Sequence, residues 1–597
     1  MKRKFIWLIL GCLLTLSMVL ASCGTKTTQT TTTTIPTTTP TTKLTTAITT
    51  IPTTKPTTTA ETPQYGGTFT YRSNVDSNYW DPYFMFGAGN MNLGEGLVYE
   101  NLGMCNWTVD RKVWGFQTSF VPVEYETGRL AESWEQPDAI TNIFHIRKGI
   151  KWHNKEPLNG RELTAYDIEY SYHRLYGMGS GFTKGSPGID KGLYEFIASV
   201  TATDKYTLVI KFTKPSLSQF QGLMGLAYNQ VHAKEAVAKW GDLQHWTRTI
   251  GTGPYTLDDY VSSQSATLHK NPEYWLNDVF YPQNKLPYID TVKILVIPDD
   301  STALAAVRTG KIDMIEGING EQAMQIQKTN PELIYTTRPD NGAGILLHVD
   351  TPPYNDIRVR KAMQKSIDWA AIADSYYGGF AVDVPMGLSG LQGHFTPFDQ
   401  WPKEVQEGYT YDPEAAKKLL AEAGYPKGFK FTLTASNTSD LDLAQVAQSY
   451  FADVGITMEI QVFDSGTFSA YTRQDKHETM WQYSVFRNYP PVPMMNQNYS
   501  VSYPFRHHLK DAHWDDLWYQ VKSGTSDEQI QQLIIEADAY ATKNQWRINF
   551  PPPDTFVFYW PWLKRYNGEV SGTHGVMSEV TSRLLWIDSD LKKSMGY

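Results

Sequence analysis

The residues predict a mixed α/β chain of several domains, and three observations carry that reading. Between 129 and 175 an alternating apolar run gives way to a polar loop and then to a capped amphipathic stretch. A helical pattern followed by an alternating one recurs between 443 and 462. About 530 residues follow the N-terminal tract, more than a single hydrophobic core accommodates. In the first stretch Phe144 and Ile146 alternate with His145 and Arg147, which gives a strand one apolar face, and Lys148-Gly149 supplies the turn out of it. Thr164 is placed to cap a helix with Asp167 three residues on, so that Ile168, Tyr172 and Leu175 share one stripe.

In chain order, residues 1–22 form a signal peptide: Lys2, Arg3 and Lys4 precede an apolar run from Phe5 to Val19 that is short for a membrane span. Leu20-Ala21-Ser22-Cys23 resembles a bacterial lipobox, in which the Cys is acylated and becomes the mature N-terminus, so Cys23 is the expected membrane anchor. Residues 23–63 hold that Cys and a Thr-rich tract broken by Pro36, Pro40, Pro52, Pro56 and Pro63. Such a composition buries no core and disfavours helix; as a disordered stalk it spans about 35 Å r.m.s..

Removing Lys2, Arg3 and Lys4 takes Lys and Arg from 53 to 50 against 62 acids, a net charge of −12, which argues against nucleic acid as a partner. Cys12 lies in the signal and Cys23 in the lipobox, so Cys105 stands alone and the mature body has no intramolecular disulfide. Beside Met104 and Trp107 it reads as a small buried hydrophobe.

Further on, Val292, Ile294 and Val296 alternate as a strand before a helix over 301–309 closed by Gly310, with Leu304 and Val307 inward. On a helix over 356–368, Val359, Ala362, Met363 and Ile367 share an apolar face, which leaves Arg358, Arg360 and Lys361 to include solvated residues. Asp412 caps a helix with Pro413 at its first position and Gly424 at its stop.

Several of these stretches together resemble the family 5 extracellular solute-binding proteins, the peptide, nickel and oligosaccharide receptors of ABC importers. The signature segment matches at Leu130, Ala131, Trp134, Phe144, Arg147, Gly149, Trp152, His153, Pro157, Leu158, Thr164, Ala165 and Asp167. Gly66-Gly67-Thr68, Gly251-Thr252-Gly253-Pro254-Tyr255, Asn271-Pro272-Glu273-Tyr274-Trp275, Asp356 to Asp368 and Tyr411 to Gly424 follow in the family's order. The resemblance implies a two-lobed periplasmic-binding-protein-like fold, type II, cluster C, with an extra domain inserted in lobe I. Lobe I would take 64–98, 250–342 and 563–597, the inserted domain 99–249, and lobe II 343–562, with a ligand enclosed between the lobes by hinge closure.

That resemblance implies a receptor that delivers an oligopeptide-like or other small polar solute to an ABC permease, held extracytoplasmically by its lipid. An oligosaccharide or a nickel complex is the alternative ligand; a surface enzyme or adhesion module on the same scaffold is the alternative class. In the family the loop ending in Asp81-Pro82 borders the cleft, which makes Tyr79 and Trp80 ligand-binding candidates. Peptide-binding relatives tend to carry Trp-x-x-Asp-Tyr-x-x-Pro late in lobe II, its Asp pairing with the peptide ammonium. Here Trp481, Tyr483, Arg487, Asn488 and Tyr489 occupy that stretch, with Arg487 or Asn488 where the acid would stand. An unpaired buried ammonium is costly, so the expectation becomes Arg487 holding an anionic or polar ligand group. Aromatic residues, at 13% of the chain, suit sugar rings and apolar side chains equally.

No cofactor and no metal is expected. His507-His508 and His513 have ligand chemistry, but neighbours on a strand point to opposite faces, no Cys is nearby and no His-Glu-x-x-His occurs. There is no Gly-x-Ser-x-Gly, P-loop or dinucleotide fingerprint to suggest an enzyme.

Overall fold

The computed structural model describes residues 62–77, 80–84, 95–118, 120–187, 192, 194–225, 229–488, 494–495, 504–569 and 578–597. Cys23 and the Thr-rich tract through residue 61 lie outside them.

Two α/β lobes and an inserted body are built around separate sheets. The first sheet has seven strands in the order Ile334–Pro339, Asp554–Tyr559, Met314–Ile318, Thr68–Ser73, Thr291–Val296, Ser265–Lys270 and Tyr255–Val261. Thr68–Ser73 runs parallel to Thr291–Val296 with Phe69 opposite Val292. Val292 and Ile294 are fully buried while Lys293 between them is exposed, the period-two burial that the sequence shows. The helix Asp300–Arg308 packs Leu304 and Val307 inward and is capped by Asp299, which accepts from the Thr302 N–H at 2.7 Å. Gly310 follows with φ +64°, and a Cβ there would sit 2.3 Å from the Tyr597 ring, so the turn needs glycine for both backbone and space.

The inserted body holds the signature segment on an antiparallel four-stranded sheet, Ala131–Asp138, Thr141–Ile146, Thr207–Phe212 and Ile197–Asp204. Its helix Ala165–Tyr176 starts in the expected capping box: the Asp167 carboxylate accepts from the Thr164 N–H at 2.8 Å, and Ile168, Tyr172 and Leu175 are fully buried. His153 and Trp152 serve packing. Nε2 of His153 lies 3.0 Å from the Gly253 carbonyl, and burial pulls its pKa to about 4. His145 pairs with exposed Glu135, and Cys105 is buried in the first lobe's core.

The second lobe has a five-stranded sheet, Thr457–Phe463, Lys430–Ser436, Thr479–Val485, Gly342–Leu347 and Arg547–Asn549. The helices Pro413–Glu422 and Leu441–Asp453 lie against it, capped by Asp412 and Asp440. Of the basic cluster on the helix Ile357–Lys365, Arg358 is exposed but Arg360 is buried. Arg360 donates to the carbonyls of Tyr354 at 2.7 Å and Asn544 at 2.9 Å, closing the end of the helix Asp527–Asn544.

The chain returns to the first lobe earlier than residue 563. The strand Asp554–Tyr559 pairs with Met314–Ile318 on one side and Ile334–Pro339 on the other. Its run Phe556-Val557-Phe558 is buried on both faces, which suits a central strand of the first sheet. Among the described residues no helix is long and apolar enough to cross a membrane.

One buried acid in the second lobe makes stability depend on pH. Asp538 is 1% exposed and accepts the Ser389 N–H at 2.8 Å, and burial pushes its pKa up to about 7 from 3.8. A folded-state pKa above the unfolded one means that the native state binds more protons between the two values, so this group lowers stability as pH rises from about 4 to about 7. Asp538→Asn keeps the acceptor oxygen without the charge. Its stability relative to the parent is expected to rise across that window by on the order of 2 kcal/mol. Urea midpoints at pH 4.5 and pH 8 check this, and a difference that does not change with pH contradicts it.

Candidate functional site

Two short crossovers join the lobes, and the residues around them form the candidate site. On the way out, the strand Ile334–Pro339 ends in the first sheet and Gly342–Leu347 begins in the second, with Asp340 and Asn341 between. On the return, Phe550 to Pro553 link Arg547–Asn549 to Asp554–Tyr559. The crossovers run side by side: the Asp340 N–H donates to the Pro553 carbonyl at 3.0 Å and the Phe550 N–H to the Ala343 carbonyl at 3.1 Å. Pro339, Pro551, Pro552 and Pro553 restrict φ here, so bending is confined to a few torsions.

Arg487 and Asn488 leave the end of the strand Thr479–Val485 and touch both crossovers. The Asn341 side-chain oxygen accepts the Arg487 N–H at 3.0 Å, and Nη1 of Arg487 donates to the Pro553 carbonyl at 3.0 Å and the Asp554 carboxylate at 2.8 Å. Nδ2 of Asn488 reaches the Pro339 carbonyl at 3.5 Å. Among the described residues, Nε and Nη2 of Arg487 have no hydrogen-bond partner, which leaves guanidinium N–H groups able to meet a carboxylate or carbonyl. A Cβ on Gly390 would lie 2.7 Å from Cγ of Arg487, so a glycine there admits the arginine stem.

The sequence candidates divide among different surroundings. Trp80 is 5% exposed, edge-on to Tyr260 with ring centroids 4.9 Å apart, in the first lobe's core. Trp481 is buried in the second lobe's core, 5.2 Å from the ring of Phe550 on the return crossover. Tyr483, two residues on, is exposed. Tyr79 and Tyr489 lie outside the described residues.

A second set of contacts joins the second lobe to the inserted body. Lys522, at the end of the helix Ala512–Lys522, pairs with Glu195 and lies among the rings of Phe196, Trp518 and Tyr519, 3.8 Å from the centroid of Trp518. Beside it the Ser216 hydroxyl donates to the Lys522 carbonyl at 2.6 Å and the Leu217 N–H to the Gly524 carbonyl at 2.9 Å. The Phe120 and His394 rings meet edge to face at 5.6 Å. These contacts are a second connection besides the crossovers and make a candidate latch. Its residues, like Asn341 and Asp554, carry no local signature; Lys522 reads in sequence as an ordinary helix-terminal lysine. A separate concavity of about 880 Å³, bordered by Cys105, Trp107, Arg147, Trp275, Asp278 and Arg583, includes none of the hinge or latch residues.

The crossovers and the contacts at Lys522 thus tie the second lobe to the rest of the protein at two places. Known proteins share the fold. With 22% identity and a TM-score of 0.70, the chain superposes on the ABC transporter-associated periplasmic binding protein DppA from Helicobacter pylori, solved with the peptide STSA, over 87% of this chain and 98% of that one. It is 29% identical to the Dipeptide-binding protein of Escherichia coli K12 over 59% of this chain and 66% of the relative. It is 28% identical to Heme-binding protein A of Haemophilus influenzae over 55% of this chain and 60% of the relative. The chain thus matches less than two thirds of the length of either relative. A family model matches residues 127–504, from the inserted body into the second lobe, and on that match this chain belongs to the bacterial extracellular solute-binding proteins, family 5 Middle.

Proposed function

We propose that the protein is the lipid-anchored solute receptor of an ABC importer: its lobes close over a peptide-like or other small polar solute and present it to a permease. The observation that carries this reading is the pair of adjacent crossovers at 339–342 and 550–554 with a latch at Lys522, which gives two rigid bodies one axis to close about. The family match supports solute capture, and a relative named for dipeptides supports the ligand class. Acylation of Cys23 would hold the receptor at the extracytoplasmic face of the membrane, with the Thr-rich tract as its tether.

Tyr483, with Tyr79 and Tyr489, is assigned to the ligand's apolar parts, whereas Trp80 and Trp481, buried in the lobe cores, are assigned to the cleft walls behind it. Arg487 and Asn488 are assigned to its polar groups. Arg487 or Asn488 stands where peptide-binding relatives tend to carry an acid, and neither is an acid, so we take the ligand group here to be a carboxylate or carbonyl rather than an ammonium. Mass spectrometry of the molecule that copurifies identifies the solute, and calorimetry with it tests the assignment. Arg487→Ala is expected to weaken binding about tenfold or more, the loss of one charge-assisted contact. Unchanged affinity overturns the role given to Arg487.

A further inference from the structure

The second lobe carries a cluster of histidines and carboxylates at the end of its sheet away from the hinge, where three distant segments meet. His348 follows the strand Gly342–Leu347, whose other end leaves the hinge. Leu347 lies opposite Thr479, which brings the turn holding Asp475 and His477 alongside His348. The third segment is tied on through the backbone: the Val349 N–H donates to the His507 carbonyl at 2.9 Å and places His508 over the group.

From this geometry we propose that His348, Asp475 and His508 bind a divalent transition-metal ion of the zinc type. Donor atoms of His348, Asp475 and His508 all lie within 4.8 Å of one another. Nε2 of His508 is 2.8 Å and Nε2 of His348 is 3.8 Å from the Asp475 carboxylate, and Nε2 of His348 and Nε2 of His477 are 3.2 Å apart. Ligand atoms about 2.0–2.1 Å from a tetrahedral ion sit about 3.4 Å from each other, so these separations bracket what a small cation requires.

The surroundings favour a metal over a solvated charge cluster. His348 and His477 are each 5% exposed. The other ring nitrogen of His508 lies 2.8 Å from the Asp350 carboxylate, the outer carboxylate partner that orients metal-bound histidines. The His348 and His508 rings stack at 3.7 Å, 13° from parallel, so an ion held in the plane of both requires one ring to turn about its side-chain torsions. Both Asp475, at φ 57°, and His508, at φ 49°, hold left-handed backbone conformations, which aim them at the cluster. Imidazole and carboxylate together suit zinc, nickel or copper rather than calcium or magnesium. A bound ion would staple the segment around 507–510 to the sheet without involving the hinge.

Zinc added to the purified protein and then dialysed is the test, with metal content by mass spectrometry and cobalt substitution as a spectroscopic readout. One equivalent of zinc is expected, with tetrahedral cobalt absorption and a melting temperature raised by zinc. His508→Gln and Asp475→Asn should each weaken zinc binding at least tenfold and abolish that rise. Asn tolerates the left-handed backbone at 475, so Asp475→Asn keeps the fold, and unaltered tryptophan emission verifies this. A parent protein that retains no zinc overturns the site, as does a folded Asp475→Asn protein that binds zinc like the parent.

Discussion

Replacing Asp81 by Asn is expected to destabilise the protein by about 3–5 kcal/mol, the cost of leaving a buried guanidinium without its counter-charge. Asp81 is fully buried beyond the first strand. Its two carboxylate oxygens take Nη1 of Arg174 at 2.8 Å and Nη2 at 2.6 Å, and one also accepts the Leu243 N–H at 3.0 Å. Arg174 lies on the helix Ala165–Tyr176, so the pair fastens the first lobe to the inserted body next to Trp80. Burial alone would raise the pKa of Asp81, but the Arg174 guanidinium, His232 and the Leu243 N–H together outweigh it and hold the carboxyl below its usual range. A lowered folded-state pKa means that this stability is present above the unfolded value near 3.8 and is lost as pH falls through the folded one. Denaturant melts at pH 7 measure the loss, and Asp81→Asn/Arg174→Met should recover most of it, because the uncompensated charge is gone. Additive losses contradict the pairing.

Glu195→Gln is expected to weaken solute binding about tenfold while leaving the unliganded protein's melting temperature unchanged. The Lys522 side chain is fully buried where the second lobe meets the inserted body, with Glu195 as its ion partner and three aromatic rings around it. If the lobes part at this contact, both charges return to water. The pair therefore acts on the closed form alone, and its loss shifts the closing equilibrium rather than folding. Calorimetry with the copurified solute reads the affinity; an unchanged constant removes the latch from the closing step.

What could be read in the sequence follows the range of the interactions. Helix caps are chemistry over three residues, and so Thr164 with Asp167, and Asp412 with Ala415, are where the pattern puts them. Strand faces obey a period of two, and Val292 and Ile294 point inward as read. Partner choice across hundreds of residues leaves no such trace. Nothing near Phe556 indicates that its strand returns to the first sheet between Met314–Ile318 and Ile334–Pro339.

Side-chain partnerships show the same limit. Arg360 looks like one member of a solvated basic stripe until Tyr354 and Asn544 are brought to it. In sequence His508 groups with His507 and His513, whereas its polar contacts include Asp475 and Asp350, 33 and 158 residues away. For Arg487, the sequence supplied the missing acid but not the hinge contacts with Asn341, Pro553 and Asp554.

Closure without chemistry is tested most directly by small-angle X-ray scattering of the protein with and without saturating copurified solute, the solute being recovered afterwards for mass spectrometry. A smaller radius of gyration with the solute and an unaltered solute mass are the results predicted. An unchanged radius at saturation, or a chemically altered solute, contradicts a receptor whose lobes close to carry their ligand.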